Sequence, residues 1–289
     1  MDTTLLVQLF VNGLAVGLLY ALVAIGLTLI WGVTDIINFA HGEFLVIAMY
    51  FGFWAYSLWG VSSVAAMPVA VIFLAALGWV VYRYVIARVL KSENILSQIV
   101  VTFGVSVFLQ SLFLFVFSGD YRSVDHDPWI KGDLEIGGVF LSVPEAVTSV
   151  LSLIVIFLVN FFIKRTYTGK AIIATSLDRE TAQLMGIDTD RMNGITFTIG
   201  IASLGVAGVV LPAFTHVSPY SGFLFAVLAF TIVALGGFGS IVGTILAGVI
   251  VGMIQTFGGF FIEPAYKYLC VFVLYLVVLM IKPKGIFGW

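Results

Sequence analysis

Runs of about twenty apolar residues, separated by short polar links, fill this sequence from end to end. A helix that crosses a bilayer needs a run of about that length. The clearest runs are Leu5–Ile30, Ala40–Trp59, Ser63–Tyr82, Ile95–Ser118, Pro144–Ile163, Asn193–Leu211, Ser240–Phe257 and Tyr266–Ile281. Between the sixth and seventh lies Gly222–Leu235, which is apolar but short and is closed by Gly236, Gly237 and Gly239. It reads as a ninth, short or discontinuous helix. Met1–Thr4 lacks a basic start and the first run is too long for a cleavable signal peptide. The chain is therefore expected to be an all-α polytopic membrane protein of eight to nine transmembrane helices, with broken helices, forming one domain over residues 1–289.

Composition closes the other routes. Of 289 residues, 61% are hydrophobic and 10% charged, against about 25% charged in an ordinary soluble domain. Neither a water-soluble core nor a disordered chain fits that balance. With 13 Lys and Arg against 15 Asp and Glu, no basic patch is available for nucleic acid. The single cysteine, Cys270, excludes an internal disulfide and a Cys-based zinc site, and it lies in the apolar run Tyr268 to Met280. It reads as a small buried hydrophobe.

Short loops rich in Lys and Arg stay on the cytoplasmic side. Arg83, Arg88 and Lys91 fill the third connection, Lys164, Arg165, Lys170, Arg179 and Arg191 the fifth, and Lys282 and Lys284 the tail. The fourth connection, Gly119–Val143, is acidic and belongs outside. Nine crossings then place the N-terminus outside and the C-terminus in the cytoplasm. Glycine pairs four apart, Gly13 with Gly17 and Gly248 with Gly252, mark faces where helix backbones approach closely. Static packing explains such faces more simply than a moving interface does.

The stretch Val33-Thr-Asp-Ile-Ile-Asn-Phe-Ala-His-Gly-Glu-Phe44 places Asp35, Asn38, His41 and Glu43 between two membrane runs. Charges are costly there, so the cluster either lines a wet cavity at a broken helix, with Gly42 allowing the bend, or forms a cytoplasmic turn with Asn38 as the cap of the second helix. Both readings stand at this level. His41 and Glu43, two apart, project to different sides of a helix and do not make a metal pair. His126 and His216 are lone loop residues. A second polar break, Pro212–Gly222, precedes the short run, and the two breaks sit in spans of opposite direction, as an inverted repeat would give. Gly237, Gly239 and Gly243 do not have dinucleotide-loop spacing.

Within the loop Lys164–Arg191, Thr175-Ser-Leu-Asp178 reads as a capping signal, and Leu177, Leu184 and Met185 share one helical face. Gly186 is placed to end the helix. A short amphipathic helix over about 176–185 is expected, with Asp178, Arg179 and Glu180 on a charge-balanced polar face suited to a protein partner. No G-x-x-x-x-G-K-[ST] loop is present, so this chain has no P-loop of its own.

The segment Gly17-Leu-Leu-Tyr-Ala-Leu-Val-Ala-Ile-Gly-Leu-Thr-Leu-Ile-Trp-Gly32, leading into Ile37-Asn-Phe-Ala-His-Gly-Glu43, resembles the permease subunits of bacterial branched-chain amino acid ABC importers of the LivH type. Leu184-Met-Gly-Ile-Asp-Thr-Asp-Arg191, Gly205-Val-Ala-Gly-Val209, Ser218-Pro-Tyr-Ser-Gly-Phe223 and Gly236-Gly-Phe-Gly-Ser-Ile241 are similar to the same family in the same order. The resemblance implies a permease of the bacterial inner membrane working by alternating access, with no catalytic or metal site and no cofactor of its own. ATP and Mg would bind on two cytoplasmic ATPase subunits. A second homologous permease, LivM-like, or another copy of this chain, and a periplasmic or surface binding protein complete the implied assembly. Asn38, His41, Gly42, Glu43, Gly236, Gly237 and Gly239 would lie at the pathway. Leu177, Asp178, Arg179, Glu180, Leu184, Met185 and Gly186 would form the coupling helix. The implied cargo is a branched-chain or related amino acid, or an amide such as urea. The competing reading is a stand-alone secondary transporter or channel that couples ions through Asp35, His41 and Glu43.

Overall fold

The computed structural model describes residues 3–90, 94–125, 127–283 and 285–287. The expectations for Lys91, His126 and Lys284 lie outside the described residues. Helix α1 (Thr3–Thr34) is followed by α2 (His41–Trp59), α3 (Ser63–Val81), which runs through a π turn at Tyr82–Ile86 into α4 (Ala87–Val89), and α5 (Ile95–Phe117). A two-stranded antiparallel hairpin, β1 (Asp133–Ile136) and β2 (Val139–Ser142), sits in the acidic connection. Then come α6 (Val143–Arg165), α7 (Tyr167–Leu177), α8 (Arg179–Leu184), α9 (Thr189–Val210), α10 (Ser221–Gly236), α11 (Ile241–Phe261) and α12 (Lys267–Ile281). Seven of the described helices are long and apolar enough to cross a membrane. With α2 and the shorter α10 they make the expected nine. Helix α2 misses the seven because His41, Gly42 and Glu43 fill its first turn.

Helix α1 forms the axis of the bundle: from Gly17 to Ile30 its residues are buried almost without interruption. A helix apolar all round can only be stable when surrounded, and α9, α10 and α11 pack on it. The two glycine pairs read from the sequence face each other. A Cβ on Gly17 would lie 2.7 Å from the Val249 Cα, and one on Gly248 would lie 2.7 Å from the Ala21 Cβ. On the other side, a Cβ on Gly200 of α9 would lie 2.6 Å from the Gly26 carbonyl oxygen, and Gly26 meets the Gly200 carbonyl in return. Without lipid-excluding hydrophobicity to draw helices together, such close backbone contact supplies dispersion attraction. These interfaces lie within one chain and serve its packing.

The two ends of the bundle differ. One carries the hairpin, the start of α1 (Phe140 N donates to Gln8 Oε1, 2.6 Å) and the strand-like pairing of Arg122 with Val217. The other carries α7, α8 and the last described residues, where Ile286 N donates to Leu235 O at 2.7 Å. Chain direction alternates between these ends, so the described termini fall at opposite ends, as an odd number of crossings demands.

Buried Asp127 fixes the hairpin end by accepting from Ser63 N at 2.7 Å, at the start of α3, and from Trp129 N at 3.0 Å. Burial alone would raise its carboxyl, but the hydrogen bonds from Ser62, Ser63 and Trp129 outweigh it and hold the group below the usual carboxylate range. A depressed folded value means that its stabilisation is complete above the unfolded value near pH 4 and is lost as pH falls through the lowered one. Asp127→Ala is expected to cost about 1 kcal/mol at neutral pH by loss of a helix cap. The gap between wild type and variant should narrow on acidification, measured by thermal unfolding in detergent. An unchanged gap at low pH would show that the carboxylate is not the stabilising species.

Candidate functional site at the meeting of two half-helices

Helix α1 ends where Asp35 adopts a left-handed conformation (φ 54°), a region that Asp tolerates better than most residues. Residues 36–40 then run back alongside α1, and α2 begins inside the bundle rather than at its edge. His41 is fully buried, and its Nε2 lies 2.8 Å from the carbonyl oxygen of Val23. Val23 precedes the end of α1 by eleven residues, about 16 Å along the axis. The segment is therefore a broken helix entering the bundle, and the solvated-turn alternative falls. Asn38 does not cap α2: its Oδ1 accepts from Ala40 N at 3.2 Å in an Asx turn, and Ala40 occupies the cap position without a side-chain bond. A turn that must pack against α1 leaves no room for Asn38 at the cap.

The second break mirrors the first from the opposite end. After α9 the chain passes through a short 3-10 turn (Leu211–Ala213), bonds to Arg122 and Val124, and returns to start α10 inside the bundle. The two helix starts meet at Gly42 and Gly222, and a Cβ on Gly42 would collide with the carbonyl of Gly222. Helices α2 and α10 then leave this point toward opposite ends.

Two helix N-termini brought together concentrate positive partial charge. Glu43, in the first turn of α2 and 2% exposed, places its carboxylate over Gly222, where a Cβ would lie 2.7 Å from it. Its Oε1 accepts from Ser106 Oγ of α5 at 3.3 Å. Thr102 of α5 donates to Ile37 O at 2.8 Å, so α5 grips the break at two points. Phe39 is wedged between Phe103 of α5 and Phe230 of α10, with centroids 6.2 and 5.3 Å away. Among the described residues Asn38 Nδ2, His41 Nδ1 and Glu43 Oε2 find no partner. Such groups are expensive in an apolar interior, which makes this cluster the candidate site. Thr102 and Ser106 were not singled out from the sequence. A signal was present: Gln98, Thr102, Ser106 and Gln110 recur every fourth residue in an otherwise apolar run, which puts them on one face.

Glu43→Gln keeps an acceptor for Ser106 but removes the charge between the helix starts. A loss of about 1 kcal/mol is expected, in line with charge–dipole interactions, and Glu43→Ala should lose about 1–3 kcal/mol by leaving buried donors unmet. Melting of the purified variants in detergent ranks them, and equal melting of all three proteins would show that Glu43 does not bind the half-helices together.

The other glycines expected at the pathway stand apart from this cluster. Gly236, Gly237 and Gly239 lie at the far end of α10, toward α7 and α8. There Gly239 backs onto Gly32 (2.7 Å for a Cβ on Gly32), Gly236 onto Gly243, and Gly237 onto Gly285. Phe238 stacks on Trp31 at 4.4 Å. Their geometry is that of a tight helix–helix corner with positive φ at Gly237 and Gly239. His216 meets Tyr121 edge-on, and Cys270, half-buried, packs its Sγ against Gly258.

The expected single helix over 176–185 is two helices. Thr175 and Leu177 lie in α7, and Asp178 breaks the run: it ends α7 with extended backbone and caps α8, accepting from Thr181 N at 3.0 Å. The Thr181 hydroxyl, followed by its N–H, holds the Asp178 carboxyl below its ordinary value. The N–H and the hydroxyl of Thr181 so satisfied outweigh continuation of the helix, because an Asp is a better cap than an interior residue. Gly186, at φ 81°, closes α8 as expected, with Gly186 N bonded to Gln183 O and Ile187 N to Ala182 O in a Schellman motif. Ala182 is buried and Gln183 Nε2 donates to Thr189 Oγ1 of α9, which seats α8 firmly. Leu177, Leu184 and Met185 stand out from it, 81%, 87% and 79% exposed. Arg179 and Glu180 are exposed beside them.

A family model described as branched-chain amino acid transport system / permease component matches residues 9–279. The chain belongs to this family. It is 35% identical to the high-affinity branched-chain amino acid transport system permease protein LivH of Salmonella typhimurium, over 97% of this chain and 94% of that one. It is 34% identical to the corresponding protein BraD of Pseudomonas aeruginosa, over 97% and 95%. A probable LivH of Methanocaldococcus jannaschii is 24% identical over 93% and 89%. The fold is similar to the solved structure of PsaBC from Streptococcus pneumoniae in complex with Fab, with a TM-score of 0.53 and 14% identity, over 96% of this permease and 92% of that chain. That likeness shares the architecture alone.

Proposed function

We propose that this permease carries branched-chain amino acids into the cell as one membrane subunit of an ATP-driven importer. The observation that carries the reading is that Leu177, Leu184 and Met185 are apolar yet exposed on two capped helices, in a permease with no nucleotide loop of its own. Apolar side chains held out on a seated helix fit a groove of a cytoplasmic ATPase subunit. Arg83, Arg88, Lys164, Arg165, Lys170, Arg179, Arg191 and Lys282 all belong to the α7–α8 end, which supports a cytoplasmic side there and an outer side at the hairpin. The N-terminus is then outside and the C-terminus inside. ATP and Mg bind on two partner ATPases, a second permease or a further copy of this chain completes the membrane part, and a periplasmic or surface binding protein delivers the cargo. The names of the relatives support branched-chain amino acids as that cargo.

In this reading, closure of the ATPases pushes α7 and α8, and the push reaches α1 and α10 through the glycine corner at Gly32, Gly239 and Gly243. Asn38, His41, Gly42 and Glu43 hold the two half-helices at the middle of the bundle, beside the path. The test is to purify the permease gently from its native membrane, identify its companions by mass spectrometry, and reconstitute leucine uptake with and without ATP. Companion ATPases and ATP-dependent uptake are expected. Uptake by the chain alone, without ATP, would overturn the proposal and make Asp35, His41 and Glu43 the ion-coupling groups.

A further inference from the structure

Helices α2 and α5 run in parallel and are tied together near their inner ends by the Thr102 and Ser106 bonds. Toward the hairpin end they meet again, where Tyr50 stacks on Phe117 at 4.2 Å and Trp54 lies 5.9 Å from the same ring. Between them, with α3 as the floor, lies a groove of about 480 Å³ walled by side chains such as Ile47, Phe51, Phe73, Leu112 and Phe117. Its volume falls within the range of small-ligand sites, roughly 300–1,000 Å³, and its lining is carbon nearly throughout. Beneath that lining the hydroxyl of Tyr50, 2% exposed, and Nε1 of Trp54 are buried and have no partner among the described residues. Trp59, 72% exposed, stands at the rim, where an amphipathic ring suits the boundary of hydrocarbon and headgroups.

A cation stands beside that rim. The Arg122 guanidinium lies 5.1 Å from the Trp54 ring centroid and 5.5 Å from that of Phe53, and it is anchored by donating to Phe117 O at 2.8 Å, at the end of α5. Its connection is acidic on balance, with Asp120 and Asp125 close by in sequence and Lys131 the one other cation, so a cation drawn onto the rings at the groove mouth stands against the local charge. An acyl chain in the groove would bring the ester and phosphate of its own headgroup to that mouth. Arg122 can donate to that phosphate.

We propose that this groove holds one acyl chain of a glycerophospholipid whose phosphate is met by Arg122. The occupant follows from the geometry: the groove opens between spanning helices, its walls match hydrocarbon, and the charge at its mouth complements a phosphate. This inference does not depend on ATP coupling or on the identity of the cargo.

The experiment uses the intact assembly reconstituted in vesicles that contain a phospholipid with a photoactivatable group on its acyl chain, followed by peptide mapping. Adducts are expected on residues 47–59 and 109–117, in excess over the lipid-facing surface of α6 around Phe157, which is 66% exposed. A diacylglycerol carrying the same group but no phosphate should label the groove about fivefold less, the size expected for one cation–lipid contact. Leu112→Trp, which fills the groove, should reduce labelling there and not on α6. Should that variant fail to fold, dilution with unlabelled phospholipid gives the same answer, since a specific site saturates and general lipid contact does not. Labelling spread evenly over all outer faces would overturn the proposal. So would equal labelling by both probes, or cross-links showing a second permease's side chains in the groove.

Discussion

Gly42→Val is expected to abolish uptake and to leave little folded permease in the membrane. The Cβ of any residue at position 42 collides with the carbonyl of Gly222, which is backbone and cannot swing aside. The starts of α2 and α10 would have to separate, taking Glu43 away from Gly222 and Ser106 and leaving buried polar groups unmet. Overpacking of this kind costs about 1–3 kcal/mol even where side chains can yield, and here the backbone must move. Gly42→Ala should already be defective. Gly104→Ala serves as the control, because a Cβ at that position of α5 meets nothing within 4 Å. Uptake per folded molecule, with folded protein counted by size-exclusion chromatography in detergent, separates the two effects. Normal folding and transport in Gly42→Val would show that the half-helices do not need their backbone contact.

The second large effect is expected at the opposite end of the chain's machinery. Leu184→Asp combined with Met185→Ser should leave the fold and its melting temperature unchanged, because both side chains stand free of the rest of the chain. Loss of central apolar anchors typically costs an interface about 2 kcal/mol or more, equivalent to roughly a thirtyfold weaker complex. ATPase subunits should then no longer co-purify, and ATP-dependent uptake should fall with them. Ala182→Asp is the contrasting variant: it buries a charge beneath α8 and should unseat the helix, lowering the melting temperature as well. Full assembly of the Leu184 and Met185 variant would move the coupling surface elsewhere on the chain.

Much of the molecule was legible before its structure. The spans follow from run length alone, since a bilayer core demands internally bonded helices of about its own thickness. Gly13, Gly17, Gly248 and Gly252 announced a close interface, because glycine is a poor helix former that apolar packing alone would not place there. Gly186 announced the end of α8. Other elements were less legible for identifiable reasons. Asp178 sits in a stretch that is helical by pattern, yet two local bonds from Thr181 make it a cap and a boundary. The hairpin at 133–142 hid in a loop too short for alternation to stand out, although Gly137 and Gly138 at its turn both have positive φ.

The polar stretch from Asp35 to Glu43 shows where sequence stops. Its composition requires that it be either wet or enclosed, and no local rule chooses between the two. The choice was made by residues far away in the chain: Val23 receiving His41, Thr102 and Ser106 on α5 holding Ile37 and Glu43, and Gly222 admitting Gly42. Sequence by itself determined that this protein lives in a membrane, that it crosses eight to nine times, and which family it resembles, because those follow from transfer free energies and local patterns summed along the chain. Only the tertiary structure decided that two helices begin inside the bundle and meet. That arrangement is fixed by backbone contacts between glycines about 180 residues apart, which become favourable only when the two halves have already packed in opposite senses.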